Sequence, residues 1–157
     1  MPSFWYDICD PKTFPLKGYR IVGRCDLRLG YNKLIYYGGN IGYRVHPPFR
    51  GHHMAAKATR VLLDYAAGLG MPYVIITCNP DNFPSRKTLT RLCGERGGWL
   101  LDVVDLPGDN VMYQRGERQK CVFFFPFREG VQPPTPETIG NWEIGGAWEA
   151  LARSLGG

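Results

Sequence analysis

The hexapeptide Arg50-Gly51-His52-His53-Met54-Ala55 gathers a guanidinium, two imidazoles and a glycine just ahead of a helical pattern. From there apolar side chains fall at Met54, Ala55, Ala58, Val61, Leu62, Tyr65, Ala66 and Leu69, in steps of three and four that mark one helix face. Lys57, Arg60 and Asp64 take the other face. A helix that starts directly after a strand (Ile41 to Val45), a Pro47-Pro48 corner and a short basic turn presents unpaired backbone N–H groups and the positive end of its dipole at one point. That is the chemistry of an anion site. The same histidines, with His46, lack the i, i+4 or cysteine-paired spacing of a zinc site, so no metal is expected.

Composition narrows the anion. The chain has 157 residues, 44% of them hydrophobic, enough for one domain with a real core. Its net charge of +5 suits nucleic acid or a phosphorylated small molecule. A nucleic-acid module fits the charge alone, because the aromatics are not interleaved with basic residues on one strand and no helix-turn-helix or RNP pattern occurs. Cys9, Cys25, Cys78, Cys93 and Cys121 show no CxxC or CxxH spacing and read as buried or half-buried free thiols. No apolar run of about eighteen residues occurs and the N-terminus lacks a signal-peptide pattern, which predicts a cytoplasmic protein with no membrane partner.

The elements that must hold the anion site follow in order. A strand is expected around Phe4 to Cys9, then a Pro-interrupted loop, then a strand from Tyr19 to Leu29 that carries Arg24, Asp26 and Arg28 on a polar face and is interrupted by Gly23. Leu34 to Tyr37 and Ile41 to Val45 are expected to extend it into an antiparallel meander. Gly68, Gly70 and Pro72 end the long helix, and the apolar run Tyr73 to Cys78 reads as a buried strand, reached by a helical crossover and so parallel to the strand before it. A second, shorter helix starts near Pro84 and stops before Gly94; Trp99 to Leu106 and Cys121 to Phe127 are further strands. The predicted fold class is α/β (α+β), a mixed, mostly antiparallel sheet of six to seven strands with a long central helix and a shorter second one. Residues 1–130 form its single domain, and 131–157 form a C-terminal extension with a helix expected from Trp142 to Leu155.

Ile41 to Gly94 resembles the acyl-CoA-binding half of the GNAT superfamily of N-acetyltransferases. The family's [Q/R]-x-x-G-x-[G/A] signature is matched at Arg50 and Ala55, departs at His53 where the interior glycine stands, and is followed by Asn82 and Ser85 at the N-x-x-[A/S] spacing. The resemblance implies acetyl-CoA as cosubstrate. Its pyrophosphate would lie on the backbone of Gly51, His52, His53, Met54 and Ala55, its pantetheine arm on the backbone of Tyr43, Arg44 and Val45, with Asn82 and Ser85 on the other side.

It further implies direct attack of an amine on the thioester, with a base for the ammonium and an acid for the thiolate. The tyrosine that many relatives carry seven residues after the asparagine is replaced by Leu89. Tyr113 is then the acid candidate, and Asp26, Glu117 and His46 the base candidates. Asp26, between Arg24 and Arg28, has a competing reading as a solvated ion pair, and a non-catalytic acyl-CoA sensor is the alternative to an enzyme. Residues 10–18, between the first two strands, leave no room for the helices that wall the acceptor site in relatives. The acceptor, an amine-bearing small molecule or peptide, then meets an open site, one covered by the tail from Val131, or one completed by a second subunit in a homodimer.

Overall fold

The structure is a computed structural model and describes residues 3–13 and 16–143. Strand β1 (Ser3–Cys9) pairs antiparallel with β2 (Ile21–Arg28). After the two-residue β3 (Gly30–Tyr31) and the helix α1 (Lys33–Gly38), β4 (Ile41–Val45) adds to the other side of β2. The interruption at Gly23 has a steric cause: a Cβ there would lie 2.3 Å from the Arg44 carbonyl oxygen across the ladder.

Leu34 to Tyr37 is not the expected strand. Asn32 caps α1, its side chain accepting from the Ile35 N–H at 2.8 Å, and Tyr36 N–H donates to the Asn32 carbonyl. Four successive apolar residues carry no alternation that separates a strand from one buried helical turn, and the cap decides.

Helix α2 (Met54–Gly68) follows a turn of 3₁₀ helix at Pro47–Phe49. Its buried face is Ala56, Thr59, Leu62, Leu63 and Ala66, rotated from the expected stripe; Val61 is 66% exposed. Strand β5 (Tyr73–Cys78) leads to α3 (Phe83–Arg96), β6 (Trp99–Asp105), the four-residue α4 (Val111–Gln114) and β7 (Gln119–Pro126). Helix α3 runs past Gly94 to Arg96 and ends at Gly97, whose φ of 74° is the left-handed conformation of a helix stop. Strand β7 lies between β5 and β6, antiparallel to both. With both faces covered, Phe123, Phe124 and Phe125 are all buried.

The α/β fold class holds, as two three-stranded antiparallel sheets (β1-β2-β4 and β5-β7-β6) sharing one core. β4 and β5 do not form a ladder. They are pinned at one end by Asn40, fully buried: its N–H donates to the Ile75 carbonyl (2.6 Å), its Oδ1 accepts from the Ile75 N–H (2.9 Å), and its Nδ2 donates to the carbonyls of Arg28 and Gly30. Residues 131–143 return to this body, with Ile139 in the core and β8 (Trp142–Glu143) paired with β3. The remainder of the helix expected from Trp142 to Leu155 lies outside the described residues. Among the described residues no helix is long and apolar enough to cross a membrane, and all five cysteines are free, four of them buried.

Candidate functional site

An open cleft of about 600 Å³ lies between β4, the start of α2 and the first half of α3, within the size of small-molecule and cofactor sites. Strand β4 is the edge of its sheet. His46 N–H donates to Val22 and Arg28 N–H to the Asn40 carbonyl, so the even-numbered residues of β4 face β2. By the alternation of an antiparallel ladder, Tyr43 and Val45 turn their backbone groups to the open edge. The Val45 carbonyl there accepts from Arg50 Nε at 2.9 Å, which folds the arginine back over the strand it follows.

The turn into α2 takes a left-handed backbone at two residues. Gly51 has φ +86°, and His53, the residue before the helix, has φ 61° and ψ 21°, a left-handed conformation that glycine adopts without cost and histidine does not. His53 thus takes up the backbone shape of the glycine it replaces. It has no side-chain capping bond to the helix. Instead Arg91, from α3, donates to its Nδ1 across 3.4 Å. The first N–H groups of α2 therefore open into the cleft beside Arg50, Lys87 and Arg91, with no carboxylate among the lining residues. Phosphate fits this donor set by charge and by geometry.

On the opposite wall, Asn82 caps α3 by accepting from the Ser85 N–H at 3.3 Å, and Pro84 sits in the first turn. Ser85 Oγ shares a 2.5 Å hydrogen bond with Tyr43 Oη across the cleft. The Tyr43 phenol is pushed up by burial, with the Ser85 bond pulling the other way.

Of the expected cofactor residues, Tyr43, Arg44, Val45, Arg50, Gly51, His53, Met54, Ala55, Asn82 and Ser85 all line this cleft, and His52 is exposed beside it. Lys87, Thr88 and Arg91 also line it. Pro84, Lys87, Thr88 and Arg91 stand three, four and seven residues along α3, so a helical face could have been read there. The side chain of Tyr43 could not, because its partner is 42 residues away in sequence.

The catalytic candidates stand apart from this lining. Asp26 does pair with Arg28, 2.9 Å from Oδ2 to Nε, but in the interior rather than in solvent: Asp26 is 2% exposed. Burial raises its carboxyl, and Arg28 and the Gly42 backbone offset part of that. Tyr113 lies in α4 with the Arg118 guanidinium 4.0 Å above its ring. Glu117 accepts from Lys120 Nζ at 2.9 Å, and Lys120 also donates to Asn79. Burial raises Glu117, but its bonds to Lys120 and Asn79 outweigh this and hold it below the usual glutamate range. His46 is exposed, and Leu89 is fully buried. Among the described residues no three His, Cys, Asp or Glu side chains cluster as metal ligands.

Residues 2–93 match the model of the acetyltransferase (GNAT) domain. No curated protein matches the chain. Three solved structures resemble its fold. The ribosomal-protein-S5-alanine acetyltransferase of Vibrio fischeri is 16% identical, with 83% of this chain and 64% of that one covered at a TM-score of 0.58. The protein yncA of Salmonella typhimurium, solved with its cofactor acetyl-CoA, is 16% identical over 76% and 65%, at 0.52. The microcin C7 self-immunity acetyltransferase MccE, in complex with acetyl-CoA and AMP, is 19% identical over 68% and 55%, at 0.50. At these identities the likeness is one of fold, and the chain spans 55–65% of the lengths it is compared with. The family's model covers more than half of the sequence, including the strand edge and helix start that shape the cleft, and the chain belongs to the GNAT acetyltransferase domain family.

Proposed function

We propose that the protein is an acetyl-CoA-dependent N-acetyltransferase that transfers an acetyl group to a primary amine of a small molecule or peptide. The observation that supports this best is the cleft itself: an unpaired strand edge, a helix start and four Lys or Arg residues (Arg44, Arg50, Lys87 and Arg91), with no carboxylate among its lining residues. In this reading the first-turn N–H groups of α2, with Arg50, Lys87 and Arg91, hold the pyrophosphate of acetyl-CoA. The open N–H and C=O groups of Tyr43 and Val45 pair with the pantetheine arm and polarise the thioester carbonyl, and Asn82 and Ser85 form the other wall. Arg50 must release the Val45 carbonyl for that pairing, which its phosphate contact would favour. The bound thioester supplies an activated acyl group.

Glu117 is the proposed base, ionised at neutral pH and set beside Asn79 on the segment that joins β5 to α3; Tyr113, Asp26 and His46 are the other proposed participants. The reading includes a cytoplasmic location and a homodimer.

A second reading, a non-catalytic acyl-CoA sensor, is favoured by Leu89, an apolar and fully buried residue where many relatives have a phenol. Thiol release from acetyl-CoA in the presence of a panel of primary amines and peptides separates the two. An enzyme gives amine-dependent release; binding without release for every amine supports the sensor.

A further inference from the structure

The bond between Tyr43 and Ser85 crosses the cleft from β4 to α3. A chain threaded between the open edge of β4 and the first turn of α3 therefore passes directly over it. The acidic groups available at this point are few. The lining residues include no carboxylic acid and no cysteine, and their neutral hydroxyls are those of Tyr43, Ser85 and Thr88. Leu89, one turn further along α3, offers only methyl groups. Of the three hydroxyls, only a phenol has an acidity near that of a thiol; an aliphatic alcohol is far weaker.

We propose that Tyr43 is the general acid that protonates the departing thiolate, an assignment that rests on the acetyl-transfer reading above. The amine nitrogen forms a bond to the thioester carbonyl carbon. The C–S bond then breaks with its electron pair on sulfur, and Tyr43 Oη delivers its proton to that sulfur to give the free thiol. The phenolate regains a proton through water from the one lost by the amine, so the protein ends unchanged. Ser85 is a positioning residue: its hydroxyl holds Oη in the slot and donates to the transient phenolate. Burial of the ring keeps Tyr43 protonated at neutral pH, as an acid must be.

Because the leaving group is the same whatever attacks, hydroxylamine serves as the acceptor in the test. The wild type, Tyr43→Phe and Ser85→Ala are compared for kcat and KM in thiol release from acetyl-CoA, and for the rise in melting temperature given by CoA. The assignment expects Tyr43→Phe to lose about 100-fold in kcat, with the acetyl-CoA KM and the CoA-induced rise kept within about twofold, and Ser85→Ala to lose less. Tyr43→Phe with wild-type CoA binding and kcat within about threefold of wild type overturns it. So does a wild type that binds CoA and releases no thiol. A wild type whose melting temperature CoA leaves unchanged removes the cofactor reading first, and the acid with it.

Discussion

His53 carries a backbone shape meant for glycine. A non-glycine residue in the left-handed region costs about 1–2 kcal/mol, and His53 makes no capping bond that offsets it. His53→Gly should therefore raise the stability of the free protein by about 1 kcal/mol, read as a higher urea midpoint with an unchanged slope. The departure from the family signature was visible in the sequence; that histidine accepts the glycine's dihedrals was not, because the pattern records residue types rather than φ.

Asp26 gives the pH dependence a definite sign. Its folded carboxyl is raised by burial above the ordinary value near 3.9. A raised acid contributes stability that is complete below its unfolded pKa and is lost as pH rises through the folded one. Relative to Asp26→Asn, which mimics the protonated form, the wild type should lose stability from about pH 4 upward until the carboxyl is fully ionised, and then run parallel. Urea unfolding of both proteins across that range checks it, and a wild type that gains on the variant with rising pH would show that Arg28 outweighs burial. Its alternation with Arg24 and Arg28 predicted the ion pair; only the packed structure could show that the carboxylate of the pair is buried.

At the scale of elements, Asn40 makes the cleft possible. It binds the end of β4 to the middle of β5 through one backbone and one side-chain hydrogen bond to Ile75, and its Nδ2 ties the same point to the carbonyls of Arg28 and Gly30. Beyond this pin the two strands form no ladder, which leaves the β4 edge free. Asn40→Ala strands two carbonyls and the Ile75 N–H, each costing about 1–3 kcal/mol when buried unpaired. A loss of about 3 kcal/mol or more in urea unfolding is expected, against about 1 kcal/mol for Asn82→Ala, which removes only a capping bond at an exposed residue.

Local pattern was enough for the long elements. The three-and-four spacing gave α2, apolar continuity gave β5, and Pro84 gave the start of α3. It failed where a pattern is short or a face is shared. Leu34 to Tyr37 holds too few residues to show a period, and Val61 lies on an apolar flank of α2 that the sheet does not cover. The role of Asn40 is not legible in the sequence, since its partners at Arg28, Gly30 and Ile75 come together only when both sheets form.

At the scale of the molecule, the two half-sheets, the pin and the basic helix start produce one cleft with a positive field and an open edge. The order of strands and helices made that fold legible from residues 41 to 94. The proposed acid, Tyr43, was not legible, because its hydroxyl meets Ser85 only when β4 and α3 converge; Glu117, the proposed base, stood in the sequence as one of several candidates with nothing to single it out. The central claim is that this cleft holds acetyl-CoA by its phosphates. Ala55, half-buried in the first turn of α2 and lining the cleft, tests it directly: Ala55→Glu places a negative charge where the helix dipole welcomes one but a bound phosphate does not. Melting curves with and without acetyl-CoA should show a rise for the wild type, about 2.7 kcal/mol of added stability at a hundredfold excess over Kd. Ala55→Glu should melt at the wild-type temperature without ligand and show no rise with it. No rise for the wild type, or an equal rise for both, would contradict the account.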